Sequence, residues 1–367
     1  MDTLNWTSVT SELLNRRALS TEESEWVMDQ IMAGEFDPVL VGSILSLLAA
    51  KGESSQEVLG FANSMVAHAE PLNAEGRILD IVGTGGDHAG SVNISSMSAI
   101  VLAAAGIKIV KHGNRAATSK SGAADVLAVL GINLELNPSQ VKEVYDKVGI
   151  TFAFAQTFHP SMRFAMPVRK SLPFPTVFNI LGPLTNPANP SAVAIGAATE
   201  RQCRLIAEVY AARNVDGLVF QGQDENGNGL DELAAIRHGQ LYEIRNGKAS
   251  QTTFNPLELE FVVGLEPIVI SDIAGGDPEE NAEVARAVFA GVGSKDTDTK
   301  RDRAIFQTVC LNSAAGIVAD GTLLDIAPNE NNLVERFAAA YEIAKSTIIE
   351  GRAEQKLNDW AEATNSL

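Results

Sequence analysis

Over residues 1 to about 70 the apolar positions recur at three- and four-residue intervals, which predicts helices only. Thr21-Glu22-Glu23-Ser24 has the make-up of a capping box ahead of Trp26, Val27, Ile31 and Met32. Pro38, tolerated in a first helical turn, opens a second helix carrying Val39, Leu40, Ile44, Leu47 and Leu48. Ser54-Ser55-Gln56-Glu57 starts a third, through Val58, Leu59, Phe61 and Met65. Three short amphipathic helices bury too little apolar surface to stand alone. They must pack on the remainder of the chain or on a second copy.

After Pro71 the period shortens. Arg77-Ile78-Leu79-Asp80-Ile81-Val82 reads as a strand running into Gly83-Thr84-Gly85-Gly86-Asp87. A helix follows from about Ser95 to Ala105, Gly106 stops it, and Ile107-Lys108-Ile109-Val110 is the next strand. That strand enters a second loop, Lys111-His112-Gly113-Asn114-Arg115-Ala116-Ala117-Thr118-Ser119-Lys120-Ser121-Gly122, ahead of a helix through residues 124–130. Further strands are predicted over residues 149–154, 193–196 and 217–220, and Asn246-Gly247 marks a hairpin between Leu241 and Lys248. Helices return from about Pro278 to the end.

This alternation predicts an α/β fold, a mainly parallel central sheet flanked by helices, with a small all-helical N-terminal domain over 1–72 and the α/β domain over 73–367. Between the third and fourth strands lies a proline-dense run from Pro160 to Pro190. Proline fixes φ and removes a donor, so a stiff, irregular crossing is expected, part of the helical domain and a hinge to the sheet. In such sheets ligands sit outside the carboxyl ends of the strands, where both glycine-bearing loops fall.

The second loop concentrates cations, hydroxyls and close-approach glycines in a chain whose formal net charge is −18. Lys111 and Arg115 bring fixed charge, and Asn114 brings both donors and an acceptor. His112 either donates to an anion or packs and bonds locally; sequence leaves both open. The first loop lets backbone N–H groups cup an anion without Cβ hindrance. It is neither a dinucleotide fingerprint, since His88 replaces the third glycine, nor a Walker loop. Asn93-Ile94-Ser95-Ser96 adds hydroxyl and amide donors at a helix N-terminus, where a pyrophosphate is favoured but where simple capping also places serine. Asp231-Glu232 follows a glycine-rich turn; it is either a solvated acidic turn or a pair that holds Mg²⁺.

Charge removes several function classes. A nucleic-acid binder needs a basic face, and 28 Lys+Arg against 46 Asp+Glu with no long basic run argues against that partner. Cys203 and Cys310 cannot build a disulfide framework, and no zinc-type spacing is present. The run 99–105 is far short of a membrane span, and residues 1–5 lack a signal-peptide pattern, so a cytoplasmic protein with no membrane partner is expected.

Taken in order, Gly83–Asp87, Asn93–Ser96, Lys111–Gly122, Phe178-Asn179-Ile180-Leu181-Gly182-Pro183-Leu184-Thr185-Asn186-Pro187, Gly229–Glu232, Gly275-Gly276-Asp277, Glu279-Glu280-Asn281 and Leu311-Asn312 resemble the anthranilate phosphoribosyltransferases of tryptophan biosynthesis. The resemblance covers most of the chain. It implies that phosphoribosyl pyrophosphate is contacted by Gly83, Gly86, Asp87, Ser91, Asn93, Ile94, Ser95, Ser96, Lys111, His112, Gly113, Asn114, Arg115, Ala116, Ala117, Thr118, Ser119 and Ala123. It implies Mg²⁺ at Ser95, Asp231 and Glu232, and anthranilate at Gly83, Asn114 and Arg169, with Arg169 facing its carboxylate. A homodimer through the N-terminal helices is the expected assembly. Two positions depart from the pattern: Ser96 where threonine is usual, and Ala123 where serine is common, which puts a minor phosphate contact there in doubt. Lys111 is the expected electrostatic stabiliser, and no general base is nominated. Pyrimidine nucleoside phosphorylases share the architecture, but their extended Thr-Gly-Gly-Thr-type segment is absent from the expected setting.

Overall fold

The computed structural model describes residues 4–116, 120–326 and 332–367. Four helices come first: α1 (Trp6–Leu14), α2 (Thr21–Ala33), α3 (Pro38–Lys51) and α4 (Ser55–Ala67). Three were marked by the apolar pattern. The fourth, α1, is a short helix whose start is set by an Asn5–Ser8 capping box rather than by a long stripe. The box of α2 is Ser20 with Glu23, one residue earlier than Thr21–Ser24 suggests. Glu57 both caps Ser54 and, buried, takes Lys51 Nζ at 2.8 Å and the Leu19 N–H at 2.9 Å, tying α4 to α3 and to the entry of α2.

The sheet places β3 (Ile150–Phe154), β2 (Lys108–Gly113), β1 (Ile78–Gly83), β4 (Ala192–Gly196) and β5 (Asp216–Gln223) side by side and parallel. The short β6 (Gly229–Leu230) pairs antiparallel with β5. An antiparallel hairpin, β7 (Gly239–Arg245) and β8 (Lys248–Phe254), completes the β5 edge, turning at Asn246 and Gly247 with φ of 50° and 71°. Both turn residues need positive φ, which is why Asn-Gly announced the hairpin.

Alternation along the strands divides the interior. Ala192, Ala194, Leu218 and Phe220 face one core, shared with α5 (Ile94–Ala104), α6 (Ala123–Val129), α7 (Pro138–Val148), and the late helices. Val193, Ile195 and Val219 face the other, shared with α1–α4. The proline-dense crossing contributes one-turn α8 (Ala155–Phe158), α9 (Met162–Ser171) and one-turn α10 (Phe178–Leu181). Ala165 and Val168 of α9 and Phe178 and Ile180 of α10 join the second core, as does α11 (Glu200–Ala212). A further one-turn helix, α12 (Glu260–Val263), precedes the closing set α13 (Pro278–Phe289), α14 (Lys300–Asp320), α15 (Leu333–Ile349) and α16 (Arg352–Asn365).

The amino ends of the parallel strands are laced by charge. Arg77 reaches Asp320 and Asp216, each at 3.0 Å; Arg245 lies 3.8 Å from Asp216 and 3.4 Å from Glu243. Arg336, fully buried, grips Glu243 with two hydrogen bonds of 2.7 and 2.8 Å. Such bidentate pairing is what makes burial of a guanidinium tolerable.

Candidate active site

At the opposite, carboxyl ends the tip of β1 emerges between those of β2 and β4. Asp231-Glu232 crosses over the tips of β1, β4 and β5. A Cβ on Gly83 would stand 2.2 Å from Asp231 Oδ2, one on Gly196 1.6 Å from the Asp231 carbonyl oxygen, and one on Gly222 2.1 Å from that of Glu232. Only glycine allows this approach. Asp231 Oδ2 accepts the Gly85 N–H at 2.7 Å, and Asp87 turns back to accept from Ala89 at 3.1 Å. Burial pushes the Asp231 carboxyl up, with Asp87 adding to it; burial likewise pushes Glu232 up, with Asp231 adding.

Lys111 is buried at the tip of β2. Its ammonium donates to the Ile81 carbonyl at 2.7 Å and to Ser95 Oγ at 3.3 Å, leaving one of its three donors for a ligand. Ser95 opens α5, and here the capping explanation fails: α5 has no side-chain cap. Asn93, the residue placed to supply one, instead bonds Ser121 and receives Asn281 Nδ2 at 2.9 Å, while Asn281 Oδ1 accepts from Gly276. The first N–H groups of α5 turn to other acceptors: that of Ile94 donates to the Val92 carbonyl at 2.7 Å, and that of Ser95 faces the Glu232 carboxylate. Ser91 pairs with Ala274 in an isolated bridge, docking the 275–277 turn against the same loop.

In the second loop Arg115 does not point freely. It bonds Asp125 at 3.0 Å, and the other oxygen of Asp125 accepts the N–H groups of Ala116 and Gly122 at 2.9 and 3.0 Å. Burial raises the Asp125 carboxyl, but these donors and Arg115 outweigh it and hold it below its usual range. Asp125 was missed by sequence reasoning, being one polar residue in an apolar helix. Its signal was a position three residues after Gly122, where an acid caps a helix start. Asn114 Oδ1 accepts from the Arg115 N–H at 2.8 Å. Gly113 and Ala123 face each other closely: a Cβ on Gly113 would lie 3.5 Å from the Ala123 methyl. Ala117, Thr118 and Ser119 lie outside the described residues.

Three predicted residues sit apart from this cluster. The Ser96 hydroxyl is buried without a hydrogen-bond partner. His112 turns inward: its Nδ1 lies 3.1 Å from the Gly182 carbonyl, and its ring packs edge-on to His159 at 5.1 Å. Burial, with the neighbouring His159, depresses its pKa to about 3. Arg169 on α9 lies over the Phe178 ring at 6.0 Å and forms no ion pair with any described residue. A cleft of about 540 Å³ opens beside the first loop, lined by Gly86, Asp87, Thr199, Asp224 and Asn228 among others.

The depressed His112 gives an acid-side prediction. The folded state binds fewer protons than the unfolded chain between the ordinary histidine pKa and about 3, so this contribution is lost as pH falls through that window. His112→Gln is expected to flatten the fall in denaturant midpoint from pH 6.5 toward acid; an unchanged slope would assign the acid sensitivity elsewhere.

Comparison with known proteins places the arrangement. A model described as glycosyl transferase family, a/b domain, matches residues 75–344, and one described as glycosyl transferase family, helical bundle domain, matches residues 7–69. An anthranilate phosphoribosyltransferase of Arthrobacter sp. (strain FB24) is 44% identical over 359 residues, covering 98% of this chain and 96% of its own. That of Leifsonia xyli subsp. xyli is 42% identical over 363 residues, covering 99% of each. Among solved structures, the anthranilate phosphoribosyltransferase of Thermus thermophilus superposes with a TM-score of 0.85 at 35% identity, over 97% of this chain and 99% of that one. The Saccharomyces cerevisiae enzyme in complex with PRPP and Mg does so with a TM-score of 0.84 at 25% identity, over 99% and 98%. The matches run nearly end to end and include both glycine loops and the Asp231-Glu232 crossing, so the chain belongs to the anthranilate phosphoribosyltransferases, a glycosyl transferase family of helical-bundle and a/b domains.

Proposed function

We infer that the protein transfers the phosphoribosyl group of phosphoribosyl pyrophosphate to the amine of anthranilate, giving N-phosphoribosylanthranilate and pyrophosphate. One observation carries the reading: Lys111, Ser95 and the Asp231-Glu232 crossing meet at two adjacent strand tips, floored by glycines that admit no side chain. In the reaction the C–O bond from the anomeric carbon to pyrophosphate breaks and a C–N bond to the amine forms. Negative charge builds on the departing pyrophosphate while positive charge builds on the sugar ring.

The remaining Lys111 donor is fixed before ligand arrives, so it stabilises the departing charge without reorganising. Asp231 and Glu232 fit a divalent cation: both carboxylates are unfavourably crowded and desolvated, a condition that an ion between them relieves. With Ser95 they would hold Mg²⁺, which when bound offsets pyrophosphate charge. An aromatic amine is already neutral near pH 7, so orientation matters more than a base.

Arg169 receives the anthranilate carboxylate in this reading. Its charge is unpaired among the described residues and burial lowers its pKa, so an incoming carboxylate would supply a partner. Gly83 and Asn114 complete that subsite. Arg169→Ala is expected to raise KM for anthranilate about tenfold or more with little change for the sugar pyrophosphate, in line with removal of one charge-assisted pair; equal effects on both would remove Arg169 from the role.

The helical domain, residues 1–72 with the returning 160–190 segment, closes on the α/β domain and keeps water from the activated sugar. Two copies associate through the N-terminal helices, where Leu14 and Val39 are exposed at 66% and 77%. Among the described residues no helix is long and apolar enough to cross a membrane, and a cytoplasmic setting suits the reaction. Loss of anthranilate fluorescence with phosphoribosyl pyrophosphate and Mg²⁺ tests the function; turnover of thymidine with phosphate instead would overturn it.

A further inference from the structure

The site contains a buried carboxylate that the reaction does not use. Asp80, on β1, is fully buried. Beneath a site for a multiply anionic ligand, a buried anion opposes binding unless it serves a cation there. Its surroundings show what it does to the sheet.

β1 pairs with β4 along its length, from Leu79 to Gly83, and β2 pairs with β3 from Ile109 to Gly113. Between β1 and β2 themselves, pairing stops after Ile78–Lys108 and Leu79–Ile109. Beyond that rung the two central strands part. The Ile109 N–H donates to Gly149 on the β3 side, so by strand alternation the Val110 carbonyl and the His112 N–H face β1. Neither finds β1 backbone. The His112 N–H is taken by Asp80 Oδ1 at 3.2 Å, and the Val110 carbonyl by Asn186 Nδ2 at 2.7 Å. The Ile81 carbonyl of β1 is taken by Lys111 Nζ at 2.7 Å. Three side chains replace the missing ladder, and the ammonium sits among them.

We propose that Asp80 is a positioning residue for the transfer reaction: its carboxylate wedges β1 from β2 and, across that gap, attracts the Lys111 ammonium, so that the free donor of Lys111 meets the pyrophosphate. The proposal rests on the functional reading above. An amide could accept the His112 N–H as well as a carboxylate does, so a hydrogen bond alone gives no reason to bury a charge, which is costly unless paired. Asp80 and Glu232 are the carboxylates whose charge acts on buried Lys111. Glu232 belongs to the cation pair, which leaves Asp80 as the partner dedicated to Lys111. Its second oxygen is buried with no hydrogen-bond partner and makes no direct ion pair with Lys111, so its attraction for the ammonium acts through space, where burial leaves it little screened.

Asp80→Asn keeps the shape and one acceptor and removes the charge. It is expected to raise KM for phosphoribosyl pyrophosphate about tenfold while KM for anthranilate stays within about twofold. Binding of Mg²⁺-pyrophosphate, followed by calorimetry, should weaken by the same factor. Wild-type values, or equal rises in both KM values, would overturn the assignment. Lys111→Met combined with Asp80→Asn removes both charges together, which a core tolerates better than removal of one. If Asp80 acts through Lys111, this double variant loses no more than Lys111→Met alone; additive losses would refute the coupling. Unmodified protein in the same assay tests the parent function, so failure of that reading is seen separately.

Discussion

Replacing Lys111 by methionine is expected to lower kcat/KM for phosphoribosyl pyrophosphate by about two to three orders of magnitude, the usual cost of deleting one preorganised electrostatic donor. Methionine fills nearly the same buried volume but leaves the buried Asp80 carboxylate without its cation, so the thermal midpoint should fall as well. Adding Asp80→Asn should restore the midpoint and not the activity. That divergence is the check. Recovery of both in the double variant would make Lys111 a structural cation. The expectation follows from placement: the ammonium is buried, two of its donors are spent on Ile81 and Ser95, and the third is left for a ligand.

Gly196→Ala is expected to lower activity as severely as the pair Asp231→Asn with Glu232→Gln, again by about two to three orders of magnitude. The added methyl would lie 1.6 Å from the Asp231 carbonyl oxygen, a backbone atom with no side-chain freedom to yield. The crossing must therefore lift, taking both carboxylates from the Ser95 side of the cleft. Titration of activity with Mg²⁺ separates the outcomes. A right-shifted metal requirement in Gly196→Ala and in the carboxylate pair supports a shared cause. An unchanged metal titration in Gly196→Ala would show that the crossing tolerates displacement.

Much of this was legible in the sequence because the local signals were strong. Glycines and β-branched runs located β1 and β2, and Asn246-Gly247 located the hairpin, since these residues meet backbone demands that few others satisfy. Helices α7 and α11 gave weaker notice, lying between stronger punctuation marks, though Pro138 after the capping Asn137, and Thr199 ahead of Glu200, were the available signs. The inward turn of His112 was not legible at all. Its direction depends on Gly182 and His159, neighbours brought in by tertiary packing. The same holds for Asp80: nothing local tells a strand aspartate that splits a ladder from one that caps a turn.

The ion lattice joining Arg77, Asp216, Arg245, Glu243 and Arg336 secures only one end of the sheet. At the other end β1 and β2 part, while the β1–β4 and β2–β3 ladders run on to Gly83 and Gly113. Thermal fraying should consequently begin in the gap between β1 and β2, with the His112 amide proton, held by a side chain, exchanging ahead of that of Gly113, held by the β2–β3 ladder. The molecule is built like a tuning fork, stiff at the stem and yielding at the prongs that must admit a ligand.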